Sequence, residues 1–130
     1  MNKDILVSHK DIKILVVDDL VTMRDLLITS LNKLGFFNID QVEDGDVALK
    51  FLLKEDFDLL ITDWKMPNMT GIDLTRAVRS NNKLKHIKIL MVTTNTDKTE
   101  IAEAIAVGVD GYLVKPFTLK MLEDNLVVLL

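Results

Sequence analysis

The stretch Ile14-Leu15-Val16-Val17-Asp18-Asp19 runs four aliphatic residues straight into two acids. Three later runs repeat the arrangement. Leu59-Leu60-Ile61-Thr62 leads into Asp63, Ile89-Leu90-Met91-Val92 into Thr93-Thr94, and Tyr112-Leu113-Val114 into Lys115-Pro116. Short, mostly apolar runs rich in β-branched residues are expected of strands buried on both faces. Helix-like segments separate them, so the strands should be parallel, with every C-terminal end on one edge of a sheet. That edge then gathers three carboxylates, a hydroxyl and an ammonium, which makes it the candidate site.

Working outward from these runs, the first strand covers about 13–17. A helix follows near 21–34, with Met23, Leu27, Leu31 and Leu34 on one face and Gly35 as its stop. A weak strand at 39–42 precedes a helix over 46–54 that turns Ala48, Phe51 and Leu52 inward. The third strand spans 58–62, and Pro67 and Gly71 mark the following loop. Helices are expected at 72–79 and at 97–107, the latter capped by Thr96 and stopped by Gly108. Strands at 87–92 and 111–114 and a last helix, capped by Thr118 and carrying Leu122, Leu126 and Leu129, complete the pattern. Five strands alternating with five helices predict a doubly wound α/β sheet, a flavodoxin-like (βα)5 three-layer sandwich. In the order 2-1-3-4-5 the ligand crevice lies between strands one and three, which end in Asp18-Asp19 and Asp63. Residues 1–11 read as a short polar leader and 12–130 as the domain.

The bulk composition bounds the function. The chain has 130 residues, room for one core, and 48% hydrophobic content, which argues against disorder. A net charge of -4 with no basic run argues against direct nucleic-acid binding. There is no cysteine, so disulfides and thiolate metal sites are excluded. No apolar stretch approaches the roughly 20 residues needed to span a bilayer. The expectation is a soluble, cytoplasmic domain.

Three carboxylates on one edge repel each other, and burying them unpaired is costly. A divalent cation resolves this. With only oxygen donors in the motifs, a hard ion is expected, Mg²⁺ or alternatively Mn²⁺. Asp63 could then act as an oxygen nucleophile toward phosphorus. Lys115 could neutralise charge on the transferred group, and Thr93 could donate a hydrogen bond to it.

Val16-Val17-Asp18-Asp19, the segment Thr62–Gly71, Met91-Val92-Thr93-Thr94 and Val114–Thr118 together resemble bacterial response-regulator receiver domains. The likeness covers about Ile12 to Leu130. Asp63-Trp64, Met66-Pro67-Asn68-Met69 and Gly111-Tyr112 carry a nearer resemblance to the stand-alone chemotaxis regulators that bind the flagellar motor switch. The resemblance implies that Asp63 accepts phosphate from a histidine kinase. Mg²⁺ would be held by Asp19, Asp63 and the backbone carbonyl of Lys65, with Asp18 acting largely through a water. It implies that Thr93 swings toward the phosphoryl group, that Tyr112 follows from exposed to buried, and that Lys115-Pro116 is cis. The output would be a shift of the surface formed by the fourth helix, fifth strand and fifth helix, including Ile101, Ile105 and Tyr112. That surface would bind a downstream target, as a monomer or as a phosphorylation-dependent dimer. Such a protein is a switch rather than an enzyme, catalysing only its own phosphorylation and dephosphorylation.

Two positions depart from the chemotaxis pattern: Lys65 stands in place of Asn and Asn95 in place of Glu, both where phosphate lifetime is tuned in the family. Thr70 before Gly71 is expected to affect a turn alone, and Thr94 to pack at a strand end. Trp64 is read as a rim residue, and Glu43-Asp44-Gly45-Asp46 as a loop and helix start. The alternatives are a receiver cut from a longer regulator, given the apolar ending Val127-Val128-Leu129-Leu130, and a Mg²⁺-dependent phosphohydrolase. The latter normally needs an acid/base Asp where this chain has Lys65.

Overall fold

The structure is a computed structural model that describes residues 2–130. The element order is α1 (Asn2–Ser8), β1 (Ile14–Val17), α2 (Val21–Lys33), β2 (Ile39–Val42), α3 (Gly45–Lys54), β3 (Leu59–Thr62), α4 (Gly71–Ser80), β4 (Lys88–Thr93), α5 (Lys98–Val107), β5 (Gly111–Val114) and α6 (Leu119–Leu129). All four strand pairings are parallel and the sheet order is β2-β1-β3-β4-β5. This is the doubly wound flavodoxin-like architecture that the alternating pattern predicts.

The period of two along each strand divides the core into two layers. Leu15, Val17, Leu60, Ile89 and Met91 point to the face covered by α3, α4 and α5, where they meet Ala48, Leu52, Leu74, Val78 and Ala104. Ile14, Val16, Leu59, Ile61, Leu90 and Val92 point to the opposite face and pack on Leu27, Leu31, Leu122 and Leu126 of α2 and α6. Because both faces are covered, the residues of β1 and β3 are buried throughout, which explains their unbroken apolar character.

Helix starts follow local chemistry. Asp44, Thr70 and Thr118 each accept a hydrogen bond from a backbone N–H in the first turn of α3, α4 and α6. Two expectations need correcting here. The cap of α5 is Asp97, whose carboxylate accepts from the N–H groups of Thr99 and Glu100, and not Thr96. An aspartate two residues ahead of the first of those amides reaches both of them. Thr70 is likewise a helix cap, accepting from Asp73 N at 3.1 Å, rather than a residue of the turn alone.

The leader, expected to be polar and without structure, contains a sixth helix. Of its three successive apolar residues, Ile5, Leu6 and Val7, Leu6 is only 4% exposed and joins the layer beneath α6. Among the described residues no helix is long and apolar enough to cross a membrane.

The sheet pole remote from the acidic loops is tied by Arg79. Its guanidinium donates to the carbonyls of Gly108 (2.9 Å), Lys85 (2.9 Å) and Ile87 (2.7 Å) and to Asp110 Oδ2 (2.7 Å). Asp110 Oδ2 also accepts from Ile89 N at 2.9 Å. Gly108 ends α5 at φ 122°, and a Cβ there would lie 2.9 Å from Arg79 side-chain atoms. The position thus requires glycine for both its backbone and its space.

Candidate functional site

β1, β3, β4 and β5 end side by side, and their next residues meet above the sheet. Asp18 follows β1 and is 1% exposed. Its Oδ1 accepts from Leu20 N at 2.9 Å, which fixes the carboxylate as the chain turns into α2. Arg24, one turn into α2, donates to the Asp18 carbonyl at 2.7 Å and to Gln41 Oε1 at 2.8 Å. Asp19 beside it is exposed to solvent. One carboxylate oxygen each from Asp18, Asp19 and Asp63 lies within 4.8 Å of the others.

Asp63 follows β3. Its Oδ1 accepts from Trp64 N at 2.6 Å, and its backbone carbonyl accepts the Thr62 hydroxyl at 2.9 Å. The loop then doubles back tightly: Gly71 N donates to Trp64 O at 2.8 Å, and a Cβ on Gly71 would sit 2.0 Å from Asp63 O. No side chain fits there, so the glycine at the start of α4 determines where Asp63 stands. Asn68, in the left-handed region at φ 69°, donates to Asp44 Oδ2 at 3.2 Å and anchors the same loop to α3.

Lys115 follows β5 and joins Pro116 through a cis peptide. Its ammonium donates to Asp18 Oδ2 at 2.8 Å and to Asp63 Oδ2 at 3.2 Å. The lysine side chain is 8% exposed and those of Asp18 and Asp63 are 1% and 13% exposed. Three carboxylates against one ammonium leave two formal negative charges. All-oxygen donors at this spacing with that residual charge fit one hard divalent cation.

Thr93, the last residue of β4, is 3% exposed and its Oγ1 accepts from Asn95 N at 3.4 Å. A hydroxyl that accepts still has its own proton to donate. Tyr112 is partly buried against the α3–α5 layer, and its hydroxyl donates to Asn95 O at 2.9 Å. Burial, and next the charges of Glu100 and Asp63, hold its phenol above the ordinary tyrosine range. Ile101 is half-buried, whereas Ile105 on the same helix is 59% exposed.

The centre opens on two sides. A polar cleft of about 510 Å³ is lined by Asp63, Lys65, Thr93, Asn95 and Glu100 among others. An apolar groove of about 430 Å³ shares Asp63 and Lys115 and is walled by Leu20, Met23, Leu26, Pro116 and Phe117. Lys65 is exposed on the rim, and Trp64 packs partly into the α3–α5 layer. Thr94 is exposed and borders both openings, a correction to its expected packing role: it lies one residue beyond β4, where no neighbouring strand covers it. Sequence reasoning misses Arg24, Glu100 and the groove residues. The one signal it offers for them is position: Arg24 and Glu100 stand in the first turn of helices that start at the crowded edge.

Residues 14–127 match the family model of the response regulator receiver domain. The chemotaxis protein CheY of Pseudomonas aeruginosa is 50% identical over 114 residues, covering 88% of this chain and 92% of that protein. The chemotaxis protein CheY-3 of Vibrio cholerae is 46% identical over 120 residues, covering 92% of each. Among solved structures, chemotaxis response regulator CheY4 of Vibrio cholerae superimposes with a TM-score of 0.84 at 38% identity, over 92% of this chain and 98% of that one. The receiver domain of a sensor histidine kinase from Pseudomonas aeruginosa, with magnesium coordinated in its active-site cleft, gives a TM-score of 0.78 at 25% identity, over 87% and 92% of the two chains. A family model that covers most of the chain, relatives at these identities and a shared strand order have one reading: the chain belongs to the response-regulator receiver-domain family and is similar to its CheY-type members.

Proposed function

We propose that the protein is a phosphorylation switch of chemotaxis signalling in which Asp63 takes a phosphoryl group from a histidine kinase. The observation that carries this reading is the Lys115 ammonium held between Asp63 and Asp18, in an all-oxygen cluster beside the buried Thr93 hydroxyl. A carboxylate oxygen of Asp63 forms a bond to phosphorus while the bond from phosphorus to the donor imidazole nitrogen breaks. The electron pair leaves with the imidazole, which takes up a proton. Lys115 moves its charge from the carboxylate to the phosphoryl oxygens, and Thr93 donates its hydroxyl proton to one of them. Asp18, Asp19, Asp63 and the carbonyl of Lys65 would hold Mg²⁺, or Mn²⁺, which when bound neutralises the phosphoryl charge.

The apolar groove that shares Asp63 and Lys115 supports a protein donor, because Leu20 and Leu26 offer exposed hydrophobic surface at the mouth of the site. The output surface is that of α5, β5 and α6, with Ile101, Ile105 and Tyr112. It engages a downstream target protein in the cytoplasm, for which the motor switch of the flagellum is the reading favoured by likeness to chemotaxis proteins. The phosphohydrolase alternative lacks support, because Lys65 occupies the place of its acid/base aspartate. Intact mass after incubation with Mg²⁺ and acetyl phosphate tests the proposal. One phosphoryl increment is expected, absent from Asp63→Asn and from a chelated sample. A folded, Mg²⁺-binding protein that gains no mass would overturn it.

A further inference from the structure

Asn95 sits where three parts of the switch meet, and all four of its polar groups are engaged. Its N–H donates to Thr93 Oγ1 (3.4 Å) and its carbonyl accepts the Tyr112 hydroxyl (2.9 Å). Its Oδ1 accepts from Asp97 N at 3.0 Å, and its Nδ2 donates to Glu100 Oε2. Glu100 N in turn donates to Asp97 Oδ1 at 3.1 Å. Asn95, Asp97 and Glu100 therefore close a ring of hydrogen bonds over the first turn of α5, and the ring fixes where the Asn95 carbonyl lies.

We propose that Glu100 is a positioning residue for the switch, which through Asn95 holds the β4–α5 loop so that Tyr112 stays turned inward before any phosphoryl group arrives. The signalling consequence rests on the reading of Asp63 as phospho-acceptor. A resting protein already biased to the inward tyrosine needs less free energy from phosphorylation to complete the change. Without Glu100, Asn95 loses one of the two side-chain contacts that orient it, the loop relaxes, and the acceptor of the Tyr112 hydroxyl moves away. Glu100 is itself exposed, so the loss is confined to the loop and leaves the core intact.

The chain contains a single tyrosine, so a ring-labelled sample reports Tyr112 alone by NMR. The experiment measures broadening of the ring signals by a soluble paramagnetic probe, without Mg²⁺ or phosphodonor. Glu100→Ala is expected to raise the outward-to-inward ratio about fivefold, the worth of one typical hydrogen bond. Glu100→Gln, whose amide oxygen accepts the same bond, should stay near the wild type. A Glu100→Ala ring as protected as the wild type overturns the proposal, and so does Glu100→Gln behaving like Glu100→Ala. Should Glu100→Ala fail to fold, Asn95→Ala removes the side-chain half of the ring and keeps the backbone carbonyl. An unchanged Tyr112 in that variant overturns it equally. Neither metal nor donor is present, so failure here is separate from failure of Asp63 to accept phosphate.

Discussion

Asp19→Asn should stabilise the metal-free protein while abolishing its response to Mg²⁺. The Asp19 carboxylate has an oxygen within 4.8 Å of those of Asp18 and Asp63, and the hydrogen bonds of Lys115 go to the latter two. Two unit charges at that spacing repel by about 1 to 3.5 kcal/mol for an effective dielectric between about 80 and 20. Asp19 is exposed, so screening at physiological salt brings the relief on neutralisation to the lower end, about 1 kcal/mol. In the wild type, Mg²⁺ at about ten times its dissociation constant should add about 1.4 kcal/mol through linkage. Urea unfolding in chelator and in excess Mg²⁺, for both proteins, gives four curves. The expected order is mutant above wild type in chelator, with the gap closed or reversed in Mg²⁺. A mutant less stable in chelator, or one that keeps the full Mg²⁺ increment, would refute the account of the acidic edge as a charge-frustrated cation site.

Lys115→Ala leaves two nearly buried carboxylates without their cation and should cost about 3 kcal/mol in chelator by urea midpoint, with part recovered in Mg²⁺. Gly71→Ala forces a Cβ against the Asp63 carbonyl and should cost about 2 kcal/mol or more while weakening Mg²⁺ binding, both read by the same titrations. The single tyrosine should titrate, by ultraviolet absorbance, above its ordinary value of 10.0. Because the folded-state value is raised, its contribution to stability is complete below pH 10 and is lost as pH rises through the folded value. Unfolding midpoints in that alkaline window should fall more steeply for the wild type than for Tyr112→Phe.

The strands and their edge were legible because burial on both faces writes a simple signature: Val16, Leu60 and Leu90 cannot be polar, and the chain emerges at the sheet's rim as soon as each run stops. The meeting of Asp18, Asp63 and Lys115 was legible for the same reason, since parallel topology alone carries the residues after β1, β3 and β5 to one place. Contacts set by the loops were not. Thr96 and Asp97 are both good caps by residue type, and only the backbone path decides that the aspartate faces the free amides. In α1 the apolar residues Ile5, Leu6 and Val7 are consecutive, which gives no helical period, and of the three only Leu6 is buried. Glu100 and Asn95 stand five residues apart, and nothing in their spacing tells that the chain turns between them.

The Arg79 clasp gives α5 a fixed end. At Gly108 the helix is fastened to α4, to the loop before β4 and to Asp110, while its opposite end, from Asp97 to Glu100, leans on the β4–α5 loop alone among the contacts described. Its middle is held too, by Ala104 buried in the core and by Glu103 paired with Arg76 of α4 at 3.4 Å. The first turn of α5, from Asp97 to Ile101, is thus the part of the helix whose side-chain hydrogen bonds run to the β4–α5 loop. Arg79, remote from the acidic edge, thereby gives that edge a helix whose far end is anchored independently of the loop beneath the cleft.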